Sequence, residues 1–170
     1  YITHGFSSTY AKKSGEPRVE LMVQWRHRDA KVPVHVLARA AQHIQRTGKS
    51  IPVGEVLTAE QIGDSGVVLF PHWIVSVPDK SIPATLKVGS ESVRLMQLVG
   101  VTDAEYQVAL KVNPELADAR QVLLEALRGG GVYPVTDPLR TCLTRRRDFL
   151  RIWEGAFRVV RERAAKAAEQ

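Results

Sequence analysis

The stretch SVRLMQLVGVTDAEY, at positions 92–106, joins a buried-strand pattern to a helix start with no spacer between them. Aliphatic residues dominate its first ten positions, which is typical of a strand with at least one buried face. Thr102 precedes Glu105 by three residues, the spacing of a capping box in which each side chain accepts a hydrogen bond from the other residue's backbone N–H. We therefore predict a strand over 92–100 and a helix over about 103–111. No glycine-rich turn lies between them, so the junction does not indicate a dinucleotide-binding loop.

The size and composition indicate one globular domain with its own core. The chain has 170 residues, of which 44% are hydrophobic and 25% charged, values typical of soluble proteins. No apolar run approaches the roughly 20 residues that a membrane-spanning helix needs. The single cysteine, Cys142, excludes an internal disulfide and a multi-cysteine zinc site. We therefore expect a reducing, cytoplasmic location and no membrane association.

The positive charge is concentrated near the end of the chain. Residues 141–170 contain eight Lys/Arg and four Asp/Glu, a net charge of +4, and the first 140 residues contain sixteen and fourteen, a net charge of +2. The basic character therefore belongs largely to the last thirty residues. This distribution does not favour a nucleic-acid surface on the globular part.

The rest of the chain alternates strand and helix patterns. We predict strands over 1–8, 18–26 and part of 51–57, one bent strand or two short ones over 67–77, and a short strand leading into a turn over 132–140. Helices are predicted from Pro33 to Thr47–Gly48, with an apolar stripe of Val34, Leu37, Ala41 and Ile44, and from Asn113–Pro114–Glu115 to Gly129. This order favours an α+β fold with a mixed, largely antiparallel sheet and packed helices.

The last helix is amphipathic and is predicted to begin near Thr144. One face carries Phe149, Trp153, Ala156, Phe157, Val160 and Ala164, and arginines occupy the other. Such a stripe has to be buried, and we expect it to dock on the helix's own domain. Docking on a second copy of the chain is the alternative, and the sequence leaves the oligomeric state open.

Four blocks of the sequence resemble, in order, the Suppressor of fused family, specifically its N-terminal or bacterial stand-alone domain. The most specific are VRLMQLVGVTDAEY, which is similar to the family's FLQIVG-T-EL signature, and VTDPLR, which is similar to its ITD-R motif. The other two are THGFSSTY with VELMVQWR, and VPVHVLARAAQHIQRTGKSIPVGEVL. Residues 58–90 match poorly, and residues 141–170 do not resemble the family core. We therefore expect a family domain over 1–140 and a basic amphipathic C-terminal helix over 141–170.

The resemblance implies a protein that binds other proteins and does not catalyse a reaction. Eukaryotic members bind and restrain a transcription factor, and bacterial relatives are proposed to neutralise toxins as immunity proteins. By resemblance, we expect a bacterial immunity-type protein that sequesters a partner protein or toxin, without a cofactor. His43 aligns with a Tyr that helps to form the partner groove in eukaryotic members, and Glu55 aligns with the acid after the family's Gly, here Gly54. These two residues are the candidate partner-binding residues.

The alternative hypothesis is a nucleic-acid-associated regulatory factor that uses the basic terminal helix. It rests on the segment TRRRDFLRIWEGAFRVVRERAAK. Phosphate contacts from such a helix would make binding steeply salt-dependent. Because acidic residues dilute the helix and its aromatic face has to be buried, we regard nucleic acid as the less favoured partner.

The titratable residues do not form a convincing catalytic or metal site. His35 and His43 lie two helical turns apart rather than the single turn that shared metal ligation uses. A hydrolase set of His4, Ser7, Ser8 and Asp64 lacks a nucleophile-elbow spacing.

Three further residues admit a chemical role and a structural one. For Asp137 and Arg140 we favour a capped turn and a local ion pair over catalysis. For Cys142 we favour a small buried hydrophobic residue over a reactive thiol. Trp25, Trp73 and Trp153 are interpreted as core residues.

Overall fold

The computed structural model describes residues 1–6, 8, 18–62, 70–112 and 116–169. Five strands and five helices are present in these ranges. The strands are β1 (Val19–Met22), β2 (Val56–Thr58), β3 (His72–Ser76), β4 (Thr85–Val88) and β5 (Glu91–Val101). The helices are α1 (Lys31–Thr47), α2 (Ala59–Ile62), α3 (Asp103–Val112), α4 (Leu116–Gly129) and α5 (Phe149–Ala168), and a 3₁₀ turn covers Leu143–Arg145.

The long strand β5 organises the sheet. The strand order is β1-β5-β3-β2, and β4 also pairs with β5. β1 runs parallel to β5, and the other three pairings are antiparallel. The predicted α+β class and the mixed, largely antiparallel sheet are therefore confirmed.

The sheet separates two apolar cores. Successive residues of a strand point to opposite faces, so Met96 and Leu98 face the layer that contains α1, whereas Val99 and Val101 face the layer of α3, α4 and α5. Trp25, Phe70 and Trp73 stack together in the first core. Trp73 and Trp153 are buried in the first and second core, whereas Trp25 is half-buried and packs against the first.

The junction between β5 and α3 forms the predicted capping box. The Thr102 N–H donates to Glu105 Oε2 at 3.0 Å, and the Glu105 N–H donates to Thr102 Oγ1 at 3.3 Å. Gly100, two residues earlier, is needed for close approach: a Cβ built there would lie 2.7 Å from Thr136 Cγ2 and 2.9 Å from the Phe70 ring.

Glu105 also forms a buried ion pair with Arg140. The two guanidinium N–H groups donate to its two oxygens at 2.6 and 2.7 Å, and the Leu143 N–H donates to Oε1 at 2.8 Å. The Glu105 side chain is 0% exposed and that of Arg140 is 6% exposed. Burial by itself raises the pKa of Glu105, but the Arg140 guanidinium and the backbone N–H groups of Leu143 and Thr102 outweigh it, so the pKa lies below its ordinary value. The expectation that Arg140 pairs locally was wrong, because its partner lies on α3.

Strand predictions at two places were too long. Among the described residues of 1–8, only Tyr1 and Thr3 exchange backbone hydrogen bonds with the β1 segment, and residues 18–26 form a strand only over 19–22. Over 132–140, where a short strand leading into a turn was predicted, the backbone makes a single bridge, from Thr136 to Trp25. That segment is held largely by side chains instead, with Gln97 Nε2 donating to the Pro134 carbonyl at 2.5 Å.

Three strand predictions agree better with the structure. β5 matches the strand predicted over 92–100, and β2 is the short strand expected within 51–57. β3 begins directly after Pro71, as expected for a strand interrupted at that residue. The part of this prediction at 67–69 lies outside the described residues, as does the helix start at Asn113–Pro114–Glu115.

The first helix begins two residues before Pro33 and ends where predicted. Proline is tolerated in the first turn because the backbone N–H groups there have no intrahelical partner. Gly48 takes the left-handed conformation with φ 65° and caps the helix. The predicted stripe was partly wrong, since Val34 is exposed. The residues that face the sheet are Val32, Pro33, Val36, Leu37, Ala40 and Ile44.

The last helix begins at Phe149, five residues after the predicted start, because Arg146 ties the preceding turn to the Gly130 carbonyl and to Asp148. Ile152, Trp153 and Ala156 are buried against α4, and Phe149, Phe157 and Val160 pack partly on the same core. Ala164 is exposed. α5 thus docks on its own domain through the predicted stripe, up to about Val160.

We predict that Glu105→Gln lowers the free energy of unfolding by about 3–5 kcal/mol, because it leaves the Arg140 charge buried without a carboxylate. The lowered pKa of Glu105 adds a pH dependence: the wild-type stabilisation is complete above the ordinary value of 4.5 and is lost as pH falls through the lower pKa of the folded protein. The variant should lack this acid-range loss. Chemical unfolding at neutral and acid pH measures both effects. The exposed Asp103→Asn change in the same helical turn is the control and should cost at most about 1 kcal/mol.

Trp153→Ala should destabilise the fold by about 3–5 kcal/mol, because it opens a cavity between α4 and α5. Thermal and chemical unfolding measure this loss, and Lys166→Ala on the exposed side of α5 should stay within about 0.5 kcal/mol of wild type. An unchanged melting temperature for Trp153→Ala would show that α5 does not dock through this face.

Candidate partner-binding site

Two clefts flank the C-terminal half of α1. His43 lines a polar cleft of about 410 Å³, and the next residue, Ile44, lines an apolar cleft of about 310 Å³. We use the name α1-end surface for these clefts together with the connection from α1 to β2. It comprises Arg39, Gln42, His43, Ile44 and Arg46 of α1, the loop 48–55, and Glu60, Gln61 and Ile62 of α2.

The polar cleft is basic and contains an unpaired histidine nitrogen. Arg39 and Arg46 line it from α1, and Glu60 is its acidic residue. The Arg39 guanidinium donates to the side-chain oxygen Oε1 of Gln42 at 3.3 Å. His43 Nδ1 is buried and has no hydrogen-bond partner among the described residues. The two arginines suit the cleft to a partner side chain that carries a carboxylate.

The apolar cleft lies between the 48–55 loop and the edge of the sheet. Ile44, Ile51 and Val53 line it from the α1 side, and Val19 and Met96 line it from the sheet. Arg94 and Ser50 are its polar residues. A concave apolar surface beside charged groups is the arrangement in which a protein partner places a large anchoring side chain.

Backbone hydrogen bonds hold the 48–55 loop in place. The Gly54 N–H donates to the Val75 carbonyl at 2.7 Å, and the Val75 N–H donates to the Glu55 carbonyl at 2.8 Å. Gly54 has φ 89°, which favours glycine. A Cβ at this position would also lie 2.6 Å from the Gln121 amide nitrogen. The loop is therefore fixed against β3 on one side and α4 on the other.

Glu55 points towards α4. Its Oε2 accepts a hydrogen bond from Arg120 Nη1 at 2.7 Å, and the two side chains are 26% and 19% exposed. Arg120 Nε is buried without a partner among the described residues. His43 and Glu55 are therefore not brought into one pocket: they flank the same α1–β2 connection, with His43 on the α1 layer and Glu55 beside the α4 layer.

Other sequence candidates have structural surroundings. Asp137 caps its turn, with the Leu139 N–H donating to Oδ1 at 2.9 Å, as predicted. His4 is exposed, the Ser8 hydroxyl donates to the Gly5 carbonyl, and Ser7 and Asp64 lie outside the described residues. Within the described ranges, no three His, Cys, Asp or Glu side chains come together as metal ligands. No described helix has the length and apolar character to cross a membrane.

Cys142 differs from the expected buried hydrophobic residue. It is only half-buried, and its sulfur lies 3.1 Å from Thr102 Oγ1 and 3.0 Å from Thr144 Oγ1. The two hydroxyls place the thiol in a polar setting at the end of the β5–α3 junction.

Sequence patterns missed most of the residues that build the α1-end surface. Arg39, Arg46, Val53 and Arg120 were not among the residues singled out from the sequence. A weak signal was present in the spacing of Arg39, His43 and Arg46, which puts all three on one face of α1. Only the tertiary arrangement brings that face against α2.

Comparison with known proteins identifies a family. The sequence model of the Suppressor of fused protein (SUFU) family matches residues 1–141. A chain in a solved structure, the Sufu-Fu complex crystal structure, is 21% identical with a TM-score of 0.49; the similarity covers 68% of this chain and 46% of that chain. This chain thus spans about half the length of that relative, and no curated protein matches it. Because the family match extends over 141 of 170 residues, the chain belongs to the Suppressor of fused family.

Proposed function

We propose that this chain is a non-enzymatic protein-binding domain that holds a partner protein at the α1-end surface. The observation that carries the proposal is the pair of clefts on the two flanks of one helical turn, one basic with the unpaired His43 nitrogen and one apolar. Membership of a family known for protein interaction, and not for catalysis, supports the same function.

The chemistry of the two clefts defines the partner's surface. An acidic side chain fits the polar cleft, where Arg39 and Arg46 supply charge and His43 lines the wall. A large apolar side chain beside it fits the apolar cleft formed with Ile51 and Val53.

Glu55 has a different role from His43 in this proposal. Its ion pair with Arg120 fixes the end of the 48–55 loop. His43, in contrast, lines the polar cleft between α1 and α2.

The partner class we propose is a toxin, with this chain as a bacterial immunity-type protein in the cytoplasm. Support comes from the family and from the single cysteine, which suits a reducing compartment. Sequestration needs tight binding without turnover, and a rigid surface with a few anchoring pockets provides it.

Binding of nucleic acid by the terminal helix is the alternative function. Arg146 and Arg151 pair with Asp148, and Arg163 pairs with Glu125, which reduces the charge available for phosphate. Phosphate contacts would give binding that weakens steeply with salt. Absence of a gel shift at low salt would remove this alternative.

Co-expression with toxins encoded by neighbouring genes tests the proposed function. The wild-type chain should restore growth and be retained with the toxin on purification. Arg46→Glu and Val53→Asp should each weaken binding by about 10-fold or more, because they reverse a cleft charge and place a charge beside the apolar cleft. Both variants should keep the wild-type melting temperature, since Arg46 is exposed and Val53 is 40% exposed.

Lys166→Glu provides the matched control, because it reverses an exposed charge on α5, on the other side of the sheet. It should bind like wild type. Restored growth that is unaffected by Arg46→Glu and Val53→Asp would move the binding site elsewhere, and a failure to bind or neutralise any neighbouring toxin would contradict the immunity role.

Glu55→Gln should lower the free energy of unfolding by about 1–3 kcal/mol, since it leaves the partly buried Arg120 without a charged partner. It should also weaken toxin binding if the loop is part of the interface. Glu60→Gln, at an exposed acid of the polar cleft, is the control and should leave stability within about 0.5 kcal/mol of wild type. Equal stabilities of the two variants would show that the Glu55 ion pair does not hold the loop.

A further inference from the structure

The outer face of α5 has few contacts with the domain apart from Phe157, which packs partly on the second core. The docked face of this helix packs on α4 up to Val160, and residues 161–169 are all exposed. On the outer face, Leu150 is 71% exposed. A shallow, open groove along this face is bordered by residues of α5 alone: Glu154, Phe157, Arg158, Arg161 and Glu162.

The spacing of this face is that of a helix–helix seam. Its residues recur at alternating intervals of four and three, the repeat by which one helix packs along another. The positions are Leu150, Glu154, Phe157, Arg161, Ala164 and Ala168. The alanines at its C-terminal end allow a second helix to approach closely, beside the larger Leu150 and Phe157.

The charges on this face are self-complementary. Around the groove, Glu154 and Glu162 balance Arg158 and Arg161, although the chain as a whole carries +6. When two copies of α5 lie antiparallel about a two-fold axis level with Phe157 and Arg158, Glu154 of each copy lies level with Arg161 of the other. In the same register Leu150 of one copy lies level with Ala165 of the other. Phe157 of one copy lies level with Arg158 of the other, and that second pairing is suited to a cation–π contact.

We propose that a second copy of this chain occupies the outer face of α5 in a two-fold symmetric dimer. In such a dimer the same patch serves both subunits, so each attractive pair occurs twice. A nucleic acid fits this face less well, because two of the four charged residues in the groove are acidic. The Trp153 stripe stays buried within each subunit, and the α1-end surface lies on the opposite side of the sheet, available to a partner protein.

Charge reversal gives a sharp test by light scattering after size-exclusion chromatography. The wild-type chain should have twice the 18.9 kDa mass of one chain. Glu154→Arg places Arg against Arg161 twice, and Arg161→Glu places Glu against Glu154 twice. Each variant should raise the dimer dissociation constant by about 10-fold or more. Lys166→Glu, off this face, should leave the mass of the wild-type protein unchanged.

Two rescue experiments distinguish a loss of complementarity from a loss of folding. The double variant Glu154→Arg/Arg161→Glu should dimerise again, because both pairs are restored in exchanged order. A mixture of the two single variants should form a one-to-one heterodimer, in which every Glu again faces an Arg. A monomeric wild type at all concentrations overturns the proposal, and so does a wild-type dimer that neither single variant weakens. Low-salt binding of nucleic acid by a monomeric wild type would assign the face to that ligand instead.

Discussion

The buried ion pair between Glu105 and Arg140 connects parts of the chain that are otherwise distant. Glu105 closes the capping box at the start of α3, so it is fixed to the end of β5. Arg140 reaches it from the segment that follows the Asp137 turn, and also donates to the Gly100 carbonyl at 3.2 Å. Leu143, which leads into α5, donates its N–H to the same carboxylate. Since each charge would be costly to bury alone, the sheet, α3 and the entry to α5 have to be in place together.

The two sides of the sheet are held together by different contacts. The side with α3, α4 and α5 is tied by Glu105, by Arg146 and by the Trp153 contacts, and it is the structural side. On the other side, α1 ends in clefts whose walls are held by backbone hydrogen bonds of the 48–55 loop. We infer that a rigid scaffold presents the α1-end surface, since a surface that is already ordered loses little entropy when it binds.

Local features could be predicted from the sequence, and long-range ones could not. The capping box, the Gly48 cap and the Asp137 turn depend on residues a few positions apart, and all three are present. The partner of Arg140 could not be identified, because Glu105 is 35 positions away and many carboxylates were equally plausible. The α1 stripe was partly misassigned. Valines at 32, 34 and 36 make more than one face of the helix apolar, and only packing on the sheet decides which face is buried. Family resemblance supplied His43 and Glu55, but their separation onto two layers depends on the strand order.

Hydrogen exchange of the Arg140→Ala variant tests the central claim, that this ion pair holds the α5 side of the domain to the sheet. Under native conditions, the backbone amides of Leu143–Arg145 and of the first turns of α5 should exchange faster than in wild type, because Glu105 loses its charged partner and the entry to α5 loosens. Amides of α1 and of the 48–55 loop should keep their wild-type rates. Unchanged protection at the start of α5, or an equal increase in α1, would contradict the account.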